Sequence, residues 1–414
     1  MACVFRRSVL LLVLALVLAA CGQSQSASSP LVLGAIYPLS GPQAPGGKQE
    51  LAGVEAALQV AQSEGVGHRR IELRVVDAIT PEAAAAAVES LVSQDHVPVI
   101  FGTYGSTLSA AASARAEQLK TVYWETGAVA DPITASRQYV FRTVATGGSL
   151  GRMAVTFTHD VLIPQSGLRA PRVDIVQVSD IYGQSVGGGE AALARQLGIE
   201  VVNTISYNPN AFNADGIARQ IAADRADFLW DVSYLDDGVA LWQAIKRNHV
   251  ELRAAVGTSS AFCMPDFALR LGADALGVYA ADKPDDTISN AALSATGRDL
   301  LARARAAYAQ RNQGEVMEIP AVAGFVGAWA LFHDVLGKMT GEVTPDAIRA
   351  MALQVDVPVG DSINGGGVRF GAAGSLDEGQ NTRAAAVVGQ WQAVGVMRIV
   401  YPAAYATARP LSSG

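Results

Sequence analysis

Cysteine is scarce in this chain: there are three in 414 residues, and two of them, Cys3 and Cys21, sit at the N-terminal end. The body is left with Cys263, which excludes a scaffold stapled by internal disulfides. A single thiol in a long chain reads as a small buried hydrophobe. Positive charge is also in short supply. Lys and Arg number 31 against 38 Asp and Glu, a formal net charge of −7, and no basic run breaks the pattern. That balance excludes nucleic acid as a partner, because such binding rests on Lys and Arg contacts with phosphate. Catalytic signatures are missing as well: there is no HExxH, CxxC, GxSxG or P-loop. His68, His96, His159, His249 and His333 are not spaced as a metal pair. The glycine clusters at 187–189 and 365–367 lack the strand-turn-helix setting of a dinucleotide fingerprint. The expectation is a protein that is not an enzyme and holds no cofactor or metal.

Half of the residues are hydrophobic and 17% are charged, so the chain is globular and able to bury a large core. At the N-terminus Arg6 and Arg7 precede an aliphatic run over 8–20, which ends in Leu18, Ala19, Ala20 and Cys21. This is the layout of a secretory signal, and the ending resembles a bacterial lipobox. A run of about 13 residues is short of the roughly 20 that a spanning helix needs. Residues 1–20 are therefore expected to be a signal peptide and Cys21 the acylated first mature residue, with an uncleaved anchor as the alternative. Residues 21–30, rich in Ser and Gln, read as a tether that holds an extracytoplasmic body at the membrane.

From residue 31 the pattern alternates strand and helix. Strands are expected at 31–37, 71–76, 97–101 and 121–124, with helices at 48–62, 81–93 and 106–119 between them. The rhythm restarts after Arg142. Strands are expected at 173–178, 201–207, 227–231 and 253–256, with helices at 185–197, 211–223 and 236–247. Two such series imply an α/β fold of two doubly wound parallel-sheet lobes, and the length suits two domains. The last third departs from this rhythm. Helices at 291–311, 319–337 and 345–353 precede β-like stretches at 383–390 and 394–401, as expected of a segment shared between lobes.

Ligands of open parallel sheets bind beyond the carboxyl ends of the strands. The loops there carry Gly, Ser, Thr and Tyr. Ser106 and Thr107 also open a helix, where hydroxyls and free N–H groups cap the helix and hold anions. At these loops the chain resembles the type I solute-binding proteins of ABC transporters, in the Leu/Ile/Val-, amide- and urea-binding group. The markers are GAIYPLSGPQAPGG at 34–47, VIFGTYGST at 99–107, GAVADPIT at 127–134 leading to VFRT at 140–143, and DIYGQS at 180–185. The resemblance implies a clamp of two lobes joined by a three-crossing hinge, near 142–145, 282–285 and 366–381. Lobe 1 would comprise 31–143 and 284–366, and lobe 2 would comprise 144–283 and 367–408.

It also implies roles for individual residues. Ser106 would hold a ligand carboxylate, Gly127 would meet the ligand through its backbone, and Tyr182 and Tyr234 would close in from lobe 2. Tyr104 is similar to the amide-binding branch. Two positions depart from the pattern: Val129 stands where a threonine holds the ligand's amino and carboxyl groups, and Ser259 where a glutamate neutralises an ammonium. A buried ammonium without a counter-charge is costly. The expected ligand is therefore a carboxylate or amide with an apolar body, unless Glu125 or Asp231 supplies the charge and makes a branched-chain amino acid binder. Trp124, Trp230 and Phe262 at strand ends either shape the pocket or pack the core. The resemblance further implies a monomeric, lipid-anchored protein of the cell envelope. It would capture a small-molecule ligand by lobe closure and deliver it to ABC permease subunits and their ATPases. A sensory lipoprotein acting with a membrane receptor is the alternative.

Overall fold

A computed structural model describes residues 30–66 and 69–411. The expected signal peptide, Cys21 and all of the tether except Pro30 lie outside the described residues. Strands β1 (Leu31–Tyr37), β2 (Ile71–Asp77), β3 (Val99–Gly102), β4 (Val122–Glu125) and β5 (Val140–Arg142) form one sheet in the order β2-β1-β3-β4-β5, with every neighbour parallel. Helices cover both faces, so a strand such as β1 is a continuous apolar run rather than an alternating one. The connecting helices are α1 (Ala44–Ser63), α2 (Pro81–Ser93) and α3 (Ser106–Leu119). Helix α1 begins four residues before its expected start, with Pro45 in the first turn, where its missing N–H costs nothing.

The chain then leaves for a second sheet. Helix α4 (Gly147–Phe157) leads to β6 (Arg172–Val178), α5 (Ile181–Leu197), β7 (Glu200–Tyr207) and α6 (Ala214–Asp224). Next come β8 (Phe228–Val232), α7 (Leu235–Arg247), β9 (Ala254–Thr258), α8 (Pro265–Leu271) and β10 (Tyr279–Asp282). Helix α5 starts earlier than periodicity suggests because the Asp180 carboxylate accepts from the N–H groups of Tyr182 and Gly183. Helices α9 (Ala295–Arg311), α10 (Ile319–Trp329) and α11 (Pro345–Ala352) return to the first sheet. Their Leu300, Leu301, Ala304, Phe325 and Ile348 share one core with Leu33, Val99 and Trp124. Finally β11 (Val387–Ala393) and β12 (Val396–Tyr401) add an antiparallel hairpin to β10, completing the order β12-β11-β10-β9-β8-β6-β7.

The stretch from 367 to 381, assigned above to lobe 2, lies against the first sheet instead. Phe370 packs edge-on to Trp124 and Phe141, with ring centroids 5.3 and 5.1 Å apart. Arg142 donates its N–H to Gly379 at 2.8 Å and its Nε to Gln380 Oε1 at 2.6 Å. An aromatic trio and a buried guanidinium thus hold this segment beside β5, and the chain re-enters the second sheet at β11.

Among the carboxyl groups that the second lobe buries are those of Asp231 and Glu190. Asp231 of β8 accepts from Ser233 Oγ at 2.5 Å, while Glu190 of α5 meets Thr258 Oγ1 at 3.4 Å and leaves Oε2 unpartnered among the described residues. Burial, reinforced by Asp231, pushes the Glu190 carboxyl up to about 8, and burial pushes Asp231 up to about 7. A raised carboxyl favours the folded state while protonated. This stabilisation is full below the unfolded value of about 4.5 and is lost as pH rises through the folded values. The midpoint of urea denaturation should therefore fall between about pH 5 and about pH 9, and Glu190→Gln should flatten that decline. A wild-type midpoint that stays level over this range contradicts the assignment.

Candidate functional site

The carboxyl ends of the two sheets face each other across a cavity of about 210 Å³. From the first lobe it is lined by the turn that opens α1, including Gln43 and Gly46, and by Tyr104 at the end of β3. From the second lobe come Pro209, Tyr234 and Leu235, then Ser260 and Met264 after β9, with Asp236 and Asp237 also on the wall. Position 46 has to be glycine, since a Cβ there would come within 2.2 Å of the Tyr104 ring. The ring thus lies flat on the first turn of α1, and its hydroxyl donates to Met264 Sδ at 3.9 Å across the cleft. Tyr234 donates to Asp180 Oδ2 at 2.7 Å. Gln43 Oε1 is buried against the α-carbon of Gly105, without a partner among the described residues.

The other expected site residues sit behind these. Tyr182 is buried beneath Tyr234, with centroids 5.3 Å apart, and its hydroxyl donates to the Thr258 carbonyl. Ser106 Oγ accepts from the Ala130 N–H at 3.2 Å, and Thr107 occupies the same first turn of α3. Val129 packs in the second lobe's core and accepts from the Gly147 N–H at 2.6 Å. Ser259 is buried at φ +54°, a left-handed turn that points the chain from β9 toward the cavity at Ser260. None of Ser106, Thr107, Glu125, Gly127, Val129, Tyr182 or Ser259 lines the cavity, whereas Tyr104 and Tyr234 do.

The Glu125 carboxyl is engaged by the protein's own donors. Its Oε1 accepts from the N–H groups of Gly127 and Ala128, both at 2.7 Å. Its Oε2 accepts from the Thr103 N–H at 3.2 Å, from Ser109 Oγ and from the Tyr123 hydroxyl at 3.4 Å. Burial pushes this carboxyl up to about 7 although its hydrogen bonds pull it down. Asp231 is likewise enclosed in the second lobe with Ser233. The three strand-end aromatics pack the core. Trp124 donates to the Gly327 carbonyl at 2.8 Å, Trp230 to Thr158 Oγ1 at 3.0 Å, and the Phe262 ring packs tilted on Phe267, with centroids 4.8 Å apart.

Two groups escaped the reading of the sequence. Glu50 of α1 lies fully buried with Oε2 against the α-carbon of Gly127, where a Cβ would come within 1.8 Å. Burial, then the Glu125 charge, holds its carboxyl well above the ordinary range. Lys283, just past β10, extends its ammonium to the Gly127 carbonyl of the other lobe at 3.5 Å and to Asp282 Oδ1 at 3.1 Å. Asp282 and Lys283 fall inside an expected crossing, which was the available signal. Nothing in the spacing of Glu50 set it apart from a solvated helix face. The site offers aromatic and thioether walls with a few polar groups. Among the described residues no cluster of three His, Cys, Asp or Glu could hold a metal.

Comparison with known proteins bears on the family and the fold. A profile of the periplasmic binding protein family matches residues 30–393. The "Leu/Ile/Val-binding protein homolog 8" of Brucella abortus is 28% identical over 382 residues, covering 91% of this chain and 92% of that protein. Homolog 7 of Brucella suis is 27% identical over 384 residues, covering 92% and 93%. Among solved structures, the leucine-binding protein LivK of Thermotoga maritima aligns with a TM-score of 0.74 at 16% identity, covering 89% of this chain and 97% of that one. An R. palustris solute-binding protein in complex with benzoate also gives 0.74, at 18% identity and 93% and 99% coverage. At such identities these structures show a shared fold.

If Glu125 braces the loops, its removal acts on stability first. Glu125→Ala would strand several buried donors and should lower unfolding stability by about 3 kcal/mol, measured by urea denaturation. A variant that keeps wild-type stability yet loses ligand binding would return Glu125 to the ligand.

Proposed function

The chain belongs to the periplasmic binding protein family, and on that premise we propose that it captures a small polar organic solute between its lobes and delivers it to an ABC importer. The solute carries a carboxylate or amide head on an apolar body. The observation that carries this reading is the interlobe cavity. Tyr104, Tyr234, Leu235 and Met264 offer apolar and aromatic surface, while Gln43 and Ser260 supply isolated polar groups. Such mostly apolar clefts with a few fixed polar atoms suit small ligands. No chemistry is performed; closed liganded clamps are drawn from an open ensemble. The protein is exported, anchored by lipid on Cys21, and acts as a monomer on permease subunits coupled to ATPases.

A second reading, a branched-chain amino acid, is favoured by one feature. Asp236 and Asp237 are carboxylates on the cavity wall. Asp236 is already paired with Arg270 at 2.6 Å and Asp237 accepts from the Tyr207 hydroxyl at 3.2 Å, so neither is free to meet an ammonium at full strength.

Calorimetry with leucine and with its deaminated analogue, 4-methylpentanoate, separates the two. The analogue should bind more tightly, and a solute at about 100 times its dissociation constant should stabilise the fold by about 2.7 kcal/mol. Tighter binding of leucine selects the amino acid reading. For the anchor, mass spectrometry of membrane-extracted protein should find a chain that begins at acylated Cys21, and Cys21→Ala should release or stall it. An unmodified mature chain beginning elsewhere removes the lipid.

A further inference from the structure

We propose that Lys283 and Asp282 together form the head-group site of the cleft and select a neutral carboxamide over a carboxylate; this rests on the solute-binding reading above. Two cations are buried among the described residues, Arg142 and Lys283. The Arg142 guanidinium is consumed by Gln380 Oε1, the Ala130 carbonyl and Thr134 Oγ1. The Lys283 ammonium is not. It has three donors, and its partners are Asp282 Oδ1 at 3.1 Å and the Gly127 carbonyl at 3.5 Å, the outer limit of a hydrogen bond.

Asp282 is incomplete in the complementary sense. Its Oδ1 serves Lys283 twice, through Nζ and through the backbone N–H at 2.7 Å. Its Oδ2 is buried and accepts no hydrogen bond from an N–H or O–H among the described residues. The thiol of Cys263, a weak donor, also lies near this carboxylate and donates to the Ser260 carbonyl at 3.9 Å. Neither residue lines the cavity itself; both are buried at the junction of the lobes beside it. Cys263 precedes the lining residue Met264, and the Asp282 charge acts on the hydroxyls of Tyr104 and Tyr182. Lys283 also bridges the lobes at their junction, since Gly127 belongs to the first and Asp282 ends the last parallel strand of the second.

A buried ammonium with a spare donor therefore stands beside a buried carboxylate with a spare acceptor. A primary carboxamide presents the matching pair, a carbonyl oxygen for Lys283 and an N–H for Asp282 Oδ2. It adds no charge to a pair that is already balanced. A carboxylate meets Lys283 equally well but sets a second negative charge against Asp282, which is costly in a buried site.

The test uses 4-methylpentanamide, 4-methylpentanoate and leucine on the whole protein by calorimetry. The amide should bind about tenfold more tightly than the acid, a difference of about 1.4 kcal/mol. Asp282→Asn replaces the spare acceptor with a donor and should reverse that order, whereas a merely structural role would weaken both ligands alike. Lys283→Gln, with folding checked by circular dichroism, should weaken the amide about tenfold. An acid bound as tightly as the amide by wild type, or an unchanged order in Asp282→Asn, overturns the head-group site and leaves solute binding intact. Leucine bound most tightly of all overturns the neutral head group. Failure of all three to bind wild type is instead the failure of the cleft reading, and the head-group site falls with it.

Discussion

The carboxyl group of Glu125 is the point on which the first lobe's half of the site depends. It gathers N–H and O–H donors from the ends of β3 and β4 and from α3, so the two loops that carry Tyr104, Ser106 and Gly127 share one anchor. Loops at strand ends are ordinarily the soft part of an α/β lobe. Here a saturated buried carboxyl makes them rigid, and the Tyr104 ring is then pressed onto Gly46 of α1. Because Gly127 is held in this way, its carbonyl is a fixed target for Lys283 from the other lobe.

The second lobe supplies its half by different means. Asp180 caps α5 and also accepts from Tyr234, so one carboxylate sets both the helix start and the orientation of a cavity-lining ring. Tyr182 supports that ring from behind. The turn after β9, left-handed at Ser259 and Ser260, then turns the chain into Met264. Contacts between lobes recur away from the cavity, where the Asp131 N–H donates to Ser185 Oγ at 3.0 Å and Asp131 Oδ1 accepts from the Gly148 N–H at 3.1 Å. These contacts use main-chain groups and short side chains, and apolar contact joins them where Ile181 of the second lobe packs against the core of the first.

The β/α alternation was legible because strands buried on both faces are continuous apolar runs, and the helices between them carry a single apolar stripe. The short β5 and β10 were not, whereas β3 and β4, no longer than β10, stood out by their places in the alternation. The segment at 367–381 was misplaced because the packing of Phe370 on Trp124 and Phe141 joins residues distant in sequence. In the site, Tyr104 and Tyr234 were named from the resemblance to the family, and both line the cavity. Glu125 was singled out as a carboxylate near the ligand, but most of its donors come from backbone N–H groups, which composition does not display. Lys283 reaches a carbonyl 156 residues away, a contact that no local pattern encodes.

The central claim is capture of a solute by closure of two lobes on the cavity between Tyr104 and Tyr234. Small-angle scattering of the protein, with and without a saturating solute that calorimetry has shown to bind, measures it most directly. The radius of gyration should be smaller with solute bound. Identical dimensions in both states, at proven saturation, would contradict it.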